Sequence, residues 1–362
     1  MNPAGGVGVL GVGVHLPPAV RRNDAWSATV VAGWADAQAR RMAAVRAAPP
    51  LATAGGRAAV AAMLADADDP FEGGVERHIL AADATATDME AAAATAALAA
   101  AGVEPGEIDL VLAHSAVPEY LLSNPACELH HRLGLAPACL TVEVQASAYS
   151  FLAQLALAAP MIASGRARRA LLVQSTAVSR LLPADDQVAA RIGDAATAVV
   201  VGPVGPGHGV VGDYHRTDGS YPRTLIASVP GGRWYDGRSI MHVGDADGAR
   251  HSFAGSVDQG GEAIAGALAA AGLTAADVGL LAVHHATAWI GEVMRRHAGL
   301  DRARTIDLYP RTGYVFSTSI PLALAAAVET GALADGDVAV LVAAGTGMVY
   351  GATVLRWGRG RS

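Results

Sequence analysis

Ala101–Ala116 reads AGVEPGEIDLVLAHSA, and Ala271–Ala286 reads AGLTAADVGLLAVHHA. The two stretches align without a gap at an offset of 170 residues. Each follows an alanine-rich run of helical character, Ala91–Ala100 in one case and Glu262–Ala270 in the other. In each, a glycine sits where a left-handed residue closes a helix. A short polar turn follows, and then an apolar strand (Leu110–Ala113 or Leu280–Val283) ends at a histidine, His114 or His284. A weaker echo keeps the same order: Phe151–Gly165 leads to the strand Ala170–Val173, and Pro321–Gly331 leads to Val338–Val342. A repeat of this length exceeds a solenoid unit. It predicts a duplicated α/β chain whose buried parallel strands read as continuous apolar runs. The boundary falls in the Pro/Gly-rich stretch Pro203–Gly209, giving halves 1–205 and 206–362.

Composition narrows the function. The 362 residues are 52% hydrophobic and only 16% charged, enough apolar surface for a large core. Net charge is −7 and there is no lysine, which argues against nucleic-acid binding or a membrane surface. The longest apolar stretch, Met89–Gly102, is shorter than the roughly 20 residues a bilayer span needs and reads as a buried helix. Met1–Val14 is apolar but glycine-broken and has no basic flank, so it makes a poor signal peptide. Cys127 and Cys139 are the only cysteines, too few for a disulfide framework or a zinc site, and a reducing cytoplasmic compartment is expected.

Several motifs have to be weighed against plainer accounts. Gly6–Gly11 fits a dinucleotide fingerprint as a pattern, but no strand precedes it and Pro17-Pro18 follow, so a glycine-rich first strand is expected. His130-His131 near Cys127 reads as a helix face, and no metal is expected. Ala343–Met348 lies between two apolar strands. Its small residues either make a tight hairpin or let backbone N–H groups approach a ligand, as an oxyanion hole requires. His284 ends a strand, where open α/β sheets place ligands, while His285 points to the opposite face.

In this order, the pieces resemble the thiolase superfamily, specifically its β-ketoacyl-ACP synthase III branch and acyltransferase relatives. The segments that carry the resemblance are Gly11–Pro18, Arg22–Asp24, Glu76–His78 with Ala81–Asp83, Pro118–Leu122, Gly193–Ala196, Gly313–Pro321 and Gly345–Gly347. The resemblance implies a thiolase-like fold: two duplicated α/β halves in a five-layered αβαβα arrangement. It also implies an acyl-transferring or condensing enzyme that works from CoA or an acyl carrier protein. No cofactor is implied, with CoA or phosphopantetheine serving as the substrate's carrier. The family is a homodimer built through its central sheet.

Relatives of this kind use a cysteine at the start of a buried helix, where the helix terminus favours thiolate. That motif aligns with Val142–Phe151, and Ala148 takes the cysteine position. Alanine forms no thioester. Two accounts fit: an engineered Cys-to-Ala change made to trap substrate, or a natural degenerate subunit or an enzyme using Ser147. Ser147 stands one residue early, and such a shift should aim it elsewhere. The resemblance places His284 at the family's histidine and Gly345 and Gly347 in the oxyanion loop. Tyr314 stands at the usual asparagine, which disfavours malonyl decarboxylation and favours transfer to a hydroxyl, an amine or a β-keto chain, as in specialised (polyketide-type, antibiotic) metabolism. In that case His284 acts as general base on the acceptor.

Glu119 is a candidate to enter a partner's site, or else a loop acid or interface salt bridge. Trp26 or Trp34 is a candidate to stack on a CoA adenine. Arg166, Arg168 and Arg169, or Arg295, Arg296, Arg302 and Arg304, could meet an acidic carrier protein or form solvated helix ends.

Overall fold

The computed structural model describes residues 6–359. Its strands are β1 (Gly6–His15), β2 (Ala19–Arg22), β3 (Glu76–Ile79), β4 (Leu110–Ser115), β5 (Leu140–Glu143), β6 (Ala170–Thr176) and β7 (Ala195–Val204). The second half contributes β8 (Gly209–Thr217), β9 (Ile226–Ser228), β10 (Ile240–His242), β11 (Val278–Val283), β12 (Arg304–Thr305), β13 (Val338–Gly345) and β14 (Val349–Arg356). The helices are α1 (Ala28–Ala47), α2 (Ala54–Ala65), α3 (Ala86–Ala101), α4 (Ala126–Arg132) and α5 (Ser150–Ala163). They continue with α6 (Ala246–Ala271), α7 (Ile290–His297), α8 (Tyr309–Thr312) and α9 (Ser319–Glu329).

Two five-stranded sheets carry the duplication. The first runs β1-β7-β6-β4-β5, and the second, read from its other edge, runs β8-β14-β13-β11-β12. The pairing senses match one for one. β4 is parallel to β5 and β6, as β11 is to β12 and β13, and the remaining pairs in both sheets are antiparallel. The predicted glycine closures are both present, with Gly102 and Gly272 left-handed at φ 64° and 65° after α3 and α6.

The layers follow from what each helix buries. α3 lies on the outer face of the first sheet and α6 on that of the second, while α5 and α9 pack between the sheets. The central apolar cluster joins Leu110 and Val199 of one sheet to Leu280 and Leu341 of the other through Phe151, Leu155, Ile320 and Leu324. The fold is therefore thiolase-like, αβαβα, with strands β4 and β6 buried along their whole length.

The glycine-rich start is a strand, as expected, and its glycines have a packing reason. A Cβ on Gly13 would lie 2.1 Å from the Ala93 carbonyl oxygen of α3. One element crosses the halves. α2 packs on α6 and α7, and the Gly55 and Gly56 N–H groups donate to the Asp258 carboxylate at 3.0 and 3.1 Å.

Candidate active site

The carboxyl ends of the parallel strands converge between the two halves. Here α5 and α9 each begin with a short 3-10 turn, Ser147–Tyr149 and Phe316–Thr318. The first residue of each turn is left-handed, Ser147 at φ 53° and Phe316 at φ 50°. The two turns touch, so the duplication brings both helix starts to one place.

Two neighbouring cavities open there. The larger, of about 330 Å3, is lined by Phe253, His284, Trp289, Tyr314, Gly345 and Thr346 among others. The smaller, of about 140 Å3, is lined by His114, Gln145, Ser147, Met241, Phe316 and Thr346 among others. Leu225 and Thr346 border both.

His284 follows β11 and faces the larger cavity, while His285 is buried behind it. The Ala344 N–H donates to His284 Nδ1 at 3.3 Å. Burial, then the neighbouring His285, lowers the His284 pKa to about 4, so the ring is neutral at pH 7. With Nδ1 accepting, its proton sits on Nε2. The site thus receives an N–H donor, which suits a developing oxyanion.

Tyr314 lines the same cavity, stacked on Phe316 with ring centroids 4.2 Å apart and set edge-on to His284 at 6.2 Å. Burial raises its pKa, so it stays a neutral phenol. Its backbone is pinned to the neighbouring loop, its N–H donating to the Arg191 carbonyl at 2.7 Å. Gly345 and Gly347 belong to a tight turn joining β13 to β14, with Met348 N–H returning to the Gly345 carbonyl at 3.2 Å. Both readings of this loop are therefore visible: it is a hairpin, and Gly345 and Thr346 face the cavity. Gly345 has no room for a side chain, since a Cβ would lie 2.3 Å from the Ala146 carbonyl oxygen. Gly347, at φ 86°, lines neither cavity.

The structure separates Ala148 from Ser147. Ala148 is 3% exposed and packs against Val178, Ile192 and Phe316, outside the lining of both cavities. Ser147 lines the smaller one. Ser147, expected to be aimed elsewhere by its one-residue shift, is absent from the lining of the His284 cavity and borders the smaller one instead. His114, visible in the sequence only as the twin of His284, shares that cavity.

Other candidates lie elsewhere. Trp34 is buried edge-to-face against Trp26 and Phe71, and its Nε1 donates to the Asp185 carbonyl at 3.0 Å. It has no free face for a nucleobase, and neither does Trp26 beside it, which corrects that expectation. Arg169 precedes β6, at the strand end opposite the cavities, and donates to Glu107 at 2.8 Å. It is not a substrate ligand at this site. Arg295 and Arg296 pair with Glu292. Glu119 accepts from the Thr87 N–H and hydroxyl, both at 3.2 Å, at the start of α3. Burial pushes its pKa up, but hydrogen bonds from its own and the Thr87 backbone more than offset this, and the carboxyl is held ionised. Within one protomer it caps a helix. Gly193-Asp194 is structural: the buried Asp194 carboxylate receives the Leu80 and Ser179 N–H groups at 2.8 and 3.1 Å.

Known proteins share this arrangement. A β-ketoacyl-(acyl-carrier-protein) synthase III of Geobacillus kaustophilus is 33% identical over 285 residues, spanning 78% of this chain and 87% of that protein. The chain belongs to the β-ketoacyl-(acyl-carrier-protein) synthase III family. A synthase III of Rhodospirillum centenum is likewise 33% identical over 286 residues. The 3-oxoacyl-(ACP) synthase III profile matches residues 142–219, which include Ser147 and Ala148. The C-terminal profile of the same family matches residues 268–357, which include His284, Tyr314 and the Gly345–Gly347 turn. The crystal structure of the synthase III from Pseudomonas aeruginosa PAO1 has a TM-score of 0.77 at 26% identity, covering 99% of this chain and all of that one. The priming β-ketosynthase of the R1128 polyketide biosynthetic pathway gives 0.77 at 25% identity, covering 97% of both chains. The synthase III family is one of condensing and acyl-transferring enzymes. No helix among the described residues is long and apolar enough to cross a membrane.

Proposed function

We propose that this protein moves an acyl group from a CoA or acyl-carrier-protein thioester to a hydroxyl, amine or β-keto acceptor in specialised metabolism. The observation that carries this reading is the larger cavity, in which the Nε2–H of a neutral His284 stands beside Tyr314 and the Gly345–Thr346 backbone. A neutral donor stabilises the oxyanion of acyl transfer. A phenol where relatives are expected to carry asparagine supports transfer over malonyl decarboxylation. The R1128 priming ketosynthase, a polyketide-pathway enzyme by its description, supports the specialised setting. An alanine at 148 also fits a Cys-to-Ala trap or a subunit without catalysis, and the codon at 148 in the source gene separates a trap from a natural alanine.

A homodimer formed through the first sheet is part of this reading. Its edge strand β5 leaves Leu140 and Val142 exposed, next to the exposed Leu121 and Leu122. An unpaired apolar edge of this kind is a template for a second copy. Glu119 lies on the adjoining loop and is proposed at most as a partner-facing acid.

The test is thiol release from acetyl-, butyryl- and octanoyl-CoA and from the same acyl groups on acyl carrier protein, with and without an alcohol or amine acceptor. His284→Ala is expected to lower turnover by about 100- to 1,000-fold, the cost of losing one oxyanion donor. Unchanged turnover in that variant would overturn the assignment. Carbon dioxide release from malonyl thioester at a comparable rate would favour the decarboxylative alternative.

A further inference from the structure

We propose that Ser147 is the acyl-accepting nucleophile of this chain and that His114 takes its proton. The inference rests on the acyl-transfer reading and deepens it. Ser147 is held at φ 53° between β5 and the turn that opens α5. A serine in that region is strained by its Cβ, and glycine would relieve it. Strain kept at a pocket points to use of the side chain. A strained residue at a strand-to-helix turn also lifts its hydroxyl clear of the backbone, toward an incoming carbonyl. The turn is fixed on both sides. The Ser147 N–H donates to Gln145 Oε1 at 2.9 Å, and the Ser147 carbonyl accepts from the Ser150 hydroxyl at 2.7 Å.

His114 is the independent observation. It lines the same cavity as Ser147, is 1% exposed, and its Nδ1 has no hydrogen-bond partner. A buried polar nitrogen left unpaired is unfavourable, so its retention also calls for a use. Its twin His284 shows the contrast, with Nδ1 satisfied by the Ala344 N–H. The two halves thus supply one histidine whose Nδ1 is tied to backbone and one whose Nδ1 is not. The cavities meet at Leu225 and Thr346, so a thioester arm in the larger one can present its carbonyl at the mouth of the smaller.

The step balances without a further reagent. Ser147 Oγ bonds to the thioester carbonyl carbon while the hydroxyl proton passes to the His114 ring. The carbonyl electron pair moves onto oxygen, which the His284 N–H can receive. Collapse breaks the C–S bond, and the departing sulfur takes the proton from His114. An ester on Ser147 and a free thiol remain. An acceptor hydroxyl or amine then attacks the ester, its proton passing through His114 back to Ser147 Oγ.

The experiment incubates the full chain with acetyl-, butyryl- and octanoyl-CoA, and with the same groups on acyl carrier protein. Thiol release, intact mass and peptide mapping are followed together. The chain has no lysine, so background N-acylation is confined to the amino terminus. The expected result is one acyl group on the Ser147 peptide. Ser147→Gly should lose that adduct while keeping or raising the melting temperature, because glycine relaxes the turn. His114→Gln should slow adduct formation by at least about a hundredfold. An adduct on another residue, or thiol release undiminished in Ser147→Gly, overturns the inference and leaves acyl transfer standing. Acylation of Ala148→Cys at residue 148, when the unaltered chain takes no acyl group, overturns it in favour of position 148. No thiol release from the unaltered chain or from Ala148→Cys, with any donor, brings down the acyl-transfer reading itself.

Discussion

Glu90 carries a carboxyl group with no access to water. Its Oε1 accepts from the Ser115 hydroxyl and, at 2.5 Å, from that of Ser175, beneath the strand ends that form the site. Burial pushes its pKa up from the ordinary 4.5, and the two hydroxyls only partly counter this. The folded state therefore binds a proton that the unfolded chain releases above about pH 4.5, and stability falls as pH rises through that window. Glu90→Gln should remove this slope, so the difference in melting temperature, natural chain minus variant, should decline steadily above pH 4.5. A constant difference would show that Glu90 is ionised in the fold. At this scale the sequence was a partial guide. The internal repeat brought out His114 and His284 because both end equivalent strands. The tautomer of His284 was not legible, since it depends on the Ala344 N–H, sixty residues away and on another strand. That Ser147 borders a cavity and Ala148 does not was hidden as well, because the motif's spacing carries no sign of the left-handed turn at 147.

Between elements, glycines of the edge strands let alanine-rich helices approach closely. A Cβ on Gly13 would meet the Ala93 carbonyl oxygen at 2.1 Å, and one on Gly11 would meet the Ala101 nitrogen at 2.5 Å. The second half repeats the device: a Cβ on Gly212 of β8 would lie 2.5 Å from the Ala267 carbonyl oxygen of α6. These contacts are with backbone, which cannot swing aside. Gly13→Val should therefore destabilise the protein by about 3 kcal/mol in urea denaturation, at the upper end for overpacking. Gly106→Ala, with no atom within 4 Å of the added carbon, should stay within about 0.5 kcal/mol. Equal effects would mean that α3 does not sit so close. The strand itself was readable, because Pro17-Pro18 follow the glycine pattern where a nucleotide site needs a helix. The crossing of α2 onto the second half was not. An alanine-rich helix of 12 residues carries little directional pattern, and its anchor is Asp258, about 200 residues away.

Across the whole molecule, the exposed edge of the first sheet is the place to test the proposed dimer. Val142→Asp places a charge on β5 at its open side and should turn a dimer into a monomer in size-exclusion chromatography with light scattering. A dimer that persists would move the interface elsewhere. The architecture as a whole was legible because the duplication is written in order and length, two properties that survive substitution of nearly every side chain. Where partners and carriers would touch was not, because Arg169 and Trp34 earn their surroundings only through distant Glu107 and Asp185. The central helices α5 and α9 contact both sheets, and their buried side chains join the two apolar faces. Neither sheet can come apart without stripping the same two helices, so neither half can melt while the other survives. Duplication by descent has here become a single cooperative unit in unfolding, one transition for two once-separable halves.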